Sequence, residues 1–329
     1  MKRSHFLGST AASAVSLAAV SAASATDPAP WAPRQSEIEL NTSTGTIFGT
    51  LTVRSDDFVA VPVVLLHAGS GPTDRDGNTP ILPGKNDALK QIALALSAHG
   101  VASVRYDKRG IAASRAAGPS EADLRFDSYI DDAVAWVKKL RVDKRFGRLT
   151  IAGHSEGSLI GMIAAARSTA DGFVSLEGAG RNAAVVLREQ IDKSAQTPAD
   201  LRASAAHIID ELAAGRTVAD VPAPLAPLFH ASVQPYLISW FKYDPAHEIA
   251  AVRGRAAIVQ GTADVQVTMA DAERLHTALP AASYVVVQGM NHVLKYAPDT
   301  SDAALVAGYT NPAPPVEPQV IDAIFAVAR

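Results

Sequence analysis

The chain contains no cysteine. Disulfides, thiolate nucleophiles and cysteine–zinc centres are therefore excluded at once. Blocks of like charge are missing too. Its 30 Lys and Arg are interspersed with 33 Asp and Glu, and the formal net charge is −3. Nucleic acid and anionic membrane surfaces, which bind through a basic patch, are not expected as partners. Long apolar runs are scarce. The stretch Phe6 to Val20 is apolar but diluted with Ser and Gly, and it is too short for a stable membrane span. No internal repeat is visible.

What is present suits a large globular core. Of 329 residues, 48% are hydrophobic and 19% charged, enough for one domain or a domain with a modest insertion. Lys2 and Arg3 precede the early apolar stretch, and Ala23 and Ala25 put small residues at the positions a signal peptidase reads. Residues 1–25 are thus expected to be an export signal, cleaved near Ala25 to leave a periplasmic or secreted protein; an uncleaved anchor is the alternative. Residues 26–36 carry three prolines and are expected to form an extended leader.

Beyond the leader, apolar patterning alternates between strand and helix. Glu37 to Val53 reads as a hairpin, Val61 to Ala68 and Val101 to Tyr106 as buried strands, and Asp87 to Ala98 and Phe126 to Leu140 as helices. Residues 181–250 interrupt this order with helices and a Pro-rich joint at Pro222, Pro224 and Pro227. They are expected to be a helical cap inserted between a first core segment, 37–180, and a second, 251–329. Phe229, Tyr236, Trp240, Phe241 and Tyr243 in the cap are open to two roles: walling an apolar pocket, or fastening the cap to the core. The sheet pattern resumes at Ala256 to Gln260 and Ser283 to Gln288. A Pro-rich crossing, Pro298 to Pro318, then leads to a last helix.

The chemistry centres on Gly153-His154-Ser155-Glu156-Gly157, between the apolar run Leu149 to Ala152 and a helical pattern. A serine on a sharp strand-to-helix turn needs neighbours without Cβ two residues to either side, and both are glycine. A serine hydroxyl needs a base, and the base needs an orienting acid. Two histidines lie late enough in the chain. His276 falls within a helix, whereas His292 follows a strand in the loop Gln288 to His292, so His292 is the expected base. Asp264, after the Ile258 to Gln260 strand, is the expected acid, with Glu177 as its rival. An oxyanion would be held by the amide of Glu156 and by one from the loop His67 to Gly71: Gly69, with Ser70 as the alternative. Asp74 to Asn78 looks like the opening of a calcium loop but lacks the later acidic ligands, so a turn is expected there. Asp107, Lys108 and Arg109 are expected to form a salt-bridged loop.

Together His67 to Asn78, Tyr106 to Gly110, Gly153 to Gly157, Ser239 to Pro245, Gly261 to Asp264 and Gly289 to His292 resemble bacterial α/β-hydrolase-fold serine carboxylesterases, relatives of the acyl-peptidase and prolyl oligopeptidase group. The resemblance spans about residues 37–329. It implies a mostly parallel α/β sheet flanked by helices with an inserted cap, a Ser155–Asp264–His292 triad and hydrolysis of short-chain carboxylic esters. No metal or organic cofactor is implied, and the expected partner is a small-molecule ester. Ala68 and Ser158 depart from this group, which more often has glycine at both. A peptidase or amidase of the same fold is the alternative, and a non-catalytic binding protein, which would lack a triad member, is the third.

Overall fold

The computed structural model describes residues 32–54, 60–194 and 197–329; the expected export signal lies outside them. Eight strands form one sheet: β1 (Arg34–Thr42), β2 (Gly45–Val53), β3 (Val61–His67), β4 (Ala102–Tyr106), β5 (Phe146–His154), β6 (Gly172–Leu176), β7 (Arg255–Gly261) and β8 (Ser283–Val287). Their order across the sheet is β1-β2-β4-β3-β5-β6-β7-β8. The β1–β2 and β2–β4 pairs are antiparallel, and every pair from β4 through β3 to β8 is parallel. β1 starts at Arg34, ahead of the expected hairpin start, because Arg34, Gln35 and Ser36 still pair with Val53, Thr52 and Leu51.

Central strands that are apolar on both faces need helices on both sides, and the chain supplies them. Along β3, Val63 and Leu65 enter one core while Val64 and Leu66 enter the other. Helices α1 (Ala88–Ala98) and α11 (Pro318–Ala328) cover the second face, through Leu89, Ile92, Leu96, Val320 and Ile324. The first face takes α2 (Phe126–Val142), α3 (Glu156–Arg167) and α9 (Met269–Ala278). Thr268 and Asp271 start α9 with reciprocal side-chain to backbone bonds. The parallel strands all end at one edge of the sheet, and their following loops meet there.

Between β6 and β7 the chain forms α4 (Ala183–Lys193), α5 (Ala199–Ala213), α6 (Ala226–Phe229), α7 (Gln234–Trp240) and α8 (Pro245–Ile249). These helices settle the open question about the cap aromatics. Trp240 stacks on Phe126 of α2 at 5.7 Å, Tyr236 packs against Phe126 and Tyr129, and the Tyr243 hydroxyl donates to Asp127 at 2.5 Å. The Ser239 hydroxyl accepts the first amide of α2, that of Phe126, at 2.8 Å. These rings fasten the inserted helices to α2. The Pro-rich crossing from Pro298 to Pro318, for which sequence reasoning named no helix, contains α10 (Asp302–Thr310), started by the Ser301 hydroxyl accepting from the Ala304 amide.

Candidate active site

Ser155 stands between the end of β5 and the first residue of α3, at φ 54° and ψ −120°. Side-chain-bearing residues rarely adopt such a backbone, and it persists only where the surroundings enforce it. The two glycines are part of that enforcement. A Cβ on Gly153 would come within 2.0 Å of the Gly157 carbonyl oxygen, and one on Gly157 within 2.5 Å of the Ala68 oxygen. The Ser155 amide donates to the Leu176 carbonyl at 2.9 Å, tying the turn to β6.

His292 and Asp264, which sequence reasoning placed in loops after β8 and β7, converge on this turn. The His292 Nδ1–H donates to Asp264 Oδ2 at 2.7 Å, which leaves Nε2 unprotonated to accept from Ser155 Oγ at 3.0 Å. Asp264 Oδ1 accepts the amides of Gln266 at 2.7 Å and Val267 at 3.0 Å. Burial alone would push the Asp264 carboxyl up. The charge and hydrogen bond of His292, with the bond from the Val267 amide, outweigh that and hold it at about 2. His276, the other late histidine, lies in α9 and stacks on Tyr284 at 5.2 Å.

Glu177, the rival acid, stands behind Asp264. It is fully buried, and its Oε1 accepts the Gly261 amide at 2.8 Å. Burial, reinforced by the neighbouring Asp264 charge, raises its carboxyl well above the usual range and favours the protonated form, while Oε2 has no hydrogen-bond partner among the described residues. Two other histidines are neutral, His67 buried and His154 half-buried at the cavity. His154 Nε2–H donates to the His292 carbonyl at 2.6 Å, and burial lowers its imidazole to about 4. His67 Nδ1–H donates to the Ala68 carbonyl at 2.9 Å, and burial lowers it to about 3.

The loop after β3 lies against the serine: a Cβ on Gly69 would sit 3.3 Å from that of Ser155. Asp74 to Asn78 is a turn in which Asp74 Oδ1 accepts the amides of Asp76 and Asn78, both at 2.9 Å. Arg75 fastens it to Asp107 at 2.7 Å, and Arg109 pairs with Asp132 at 2.5 Å. Among the described residues no group of three or more His, Asp or Glu stands together to hold a metal ion, and no helix is long and apolar enough to cross a membrane.

A cavity of about 330 Å³ opens beside Ser155 and His292, walled by Leu82, Leu89, Val293 and Tyr309 with Ile81 at 74% exposure. None of the five cap aromatics lines it. Its walls come from the 69–89 loop and from α10, and Tyr309 accepts a bond from Gln266 at 2.6 Å. Sequence reasoning missed these residues, although Ser301 three positions ahead of Ala304 is a capping signal inside the Pro-rich stretch. The two walls are joined by buried Lys295, whose Nζ donates to the carbonyls of Asn86 at 2.6 Å and Asn311 at 3.0 Å.

Four likenesses bear on this arrangement. A family model described as serine aminopeptidase, S33 (Hydrolase_4) matches residues 84–213. Esterase EstD of Thermotoga maritima is 33% identical over 143 residues, which is 44% of this chain and 33% of that protein, so the match spans about a third of the relative's length. Est1E from Butyrivibrio proteoclasticus, solved with ferulic acid bound, superposes with a TM-score of 0.58 at 13% identity, over 88% of this chain and 98% of that one. The esterase domain of a Rhodothermus marinus protein gives 0.52 at 14%, over 84% and 95%. With its strand order, its flanking helices and these structural neighbours, the chain has the α/β-hydrolase fold.

Proposed function

We propose that the protein is a serine hydrolase of short-chain carboxylic esters. The observation that carries this reading is His292, bonded through one ring nitrogen to Asp264 and through the other to Ser155. Ser155 Oγ attacks the ester carbonyl as its proton passes to His292 Nε2. Asp264 holds the imidazole in the accepting tautomer and stabilises the imidazolium. The amides of Glu156 and Gly69, with Ser70 as the alternative, hold the oxyanion. The tetrahedral adduct collapses, the alkoxide leaves with the proton from His292, and water, deprotonated by the same nitrogen, releases the acyl group. The small, largely apolar cavity supports short acyl chains.

Ser155→Ala is expected to lower turnover of p-nitrophenyl acetate and butyrate by about 10³-fold or more. A purified variant with wild-type turnover would falsify the reading. The peptidase alternative is favoured by the description of the family model matched over residues 84–213. Parallel assays on esters and aminoacyl amides separate the two, and an amide preference decides for the peptidase. Export of the chain stays part of the proposal, resting on Lys2, Arg3 and the Ala23 to Ala25 pattern.

A further inference from the structure

The three residues after β4 diverge. Asp107 and Arg109 pair with Arg75 and Asp132, while Lys108 turns inward and is 1% exposed. Its Nζ donates to the Gly69 carbonyl at 2.6 Å and to Glu156 Oε1 at 3.3 Å, and lies 5.1 Å from the centre of the Tyr129 ring. A buried ion pair stabilises a fold weakly at best, since apolar residues of similar volume usually do as well or better. Its placement therefore calls for another account. The ammonium joins the two segments, far apart in sequence, that carry the candidate oxyanion donors. On one side is the Ala68-Gly69-Ser70-Gly71 loop, whose small residues leave its backbone loosely constrained. On the other is Glu156, the first residue of α3, whose amide has no acceptor within its own helix. The Gly69 carbonyl shares a rigid peptide unit with the Ser70 amide, so anchoring that oxygen orients the Ser70 donor directly and limits the Gly69 donor on the other side of the same Cα.

We propose that Lys108 is a positioning residue that sets the spacing between the loop after β3 and the start of α3, and so the geometry of the oxyanion site. Lys108 does not line the cavity; it acts through the backbone of Gly69 and the side chain of Glu156. The proposal rests on the serine-hydrolase reading for its kinetic consequence, and on the two contacts of Nζ for its structural one.

The test uses two variants. Lys108→Met/Glu156→Gln removes both charges together and leaves neither stranded, while Lys108→Gln keeps a shorter, neutral donor. Misplacing an oxyanion donor by about an ångström is expected to lower kcat about 30- to 100-fold in the double variant, with KM within about 3-fold of wild type, and by less in Lys108→Gln. Deuterium exchange read by mass spectrometry is expected to quicken in peptides covering residues 67–73 and to stay unchanged in the strands. A folded double variant with wild-type kcat, a loss confined to KM, or unaltered exchange over 67–73 each overturns the proposal. Ser155→Ala is run alongside. If it keeps wild-type turnover the hydrolase reading fails, and the exchange measurement still decides on Lys108.

Discussion

Burial and the neighbouring Asp264 charge favour the protonated form of the Glu177 carboxyl, which can then offer Asp264 a proton that a solvent-facing aspartate would take from water. Replacing it tests whether that proton matters. In Glu177→Leu the donor is gone and Asp264 becomes more basic, so it stabilises protonated His292 more strongly. The acid limb of the kcat/KM profile is then expected to move to higher pH, while Glu177→Gln, which still donates, leaves the limb in place. A pH–rate series on the three proteins checks this, and an unmoved limb in Glu177→Leu defeats it. Residues of this kind are hard to read from sequence. Ser155 was legible because its glycines answer a local steric demand, and His292 because it follows a strand. Whether Glu177 or Asp264 faces the imidazole depends on how β6, β7 and β8 sit side by side, which no local pattern encodes.

Among elements, the structure divides labour in a way the hydrophobic pattern left undecided. An amphipathic helix looks the same whether its apolar face meets a core or a void. The cap aromatics meet α2, and α10 meets the cavity. Two substitutions separate these roles. Tyr309→Ala enlarges the cavity and is expected to shift preference toward longer p-nitrophenyl acyl chains, with little change in melting temperature. Phe229→Ala, at a fully buried site in α6, is expected to cost about 3–5 kcal/mol of stability and to leave the acyl-chain profile unaltered. Chain-length panels and denaturant melts read both, and the reverse pattern would return the pocket to the cap. The sheet itself was legible nearly strand by strand, because double-sided burial leaves continuous apolar runs. α10 was not, because the prolines on either side of it mask a helix held by the Ser301 cap.

Across the whole molecule, two neutral histidines, His67 buried and His154 half-buried, contribute to the response to acid. His67 and His154 titrate at about 3 and 4 in the folded state, against 6.5 for an ordinary histidine. Between those values the unfolded chain binds more protons, so the stabilisation is fully present above about 6.5 and is lost as pH falls toward 4. Glu177 works the other way, since its raised carboxyl keeps a proton that the unfolded chain releases above about 4.5. Asp74 and Asp132, raised by burial as well, act with Glu177 and offset part of the loss; the histidine contribution by itself makes melting temperature fall from pH 7 to pH 4.5. His67→Gln is expected to flatten that slope, and melts at half-unit intervals check it.

The Lys295 clasp between Asn86 and Asn311 has a consequence for synthesis. The wall around Asn86 is translated long before the wall that ends at Asn311, and His292 comes only shortly before that second wall. A growing polypeptide can therefore fold strands β1 to β7 on the ribosome while the cavity beside Ser155 still lacks its second wall.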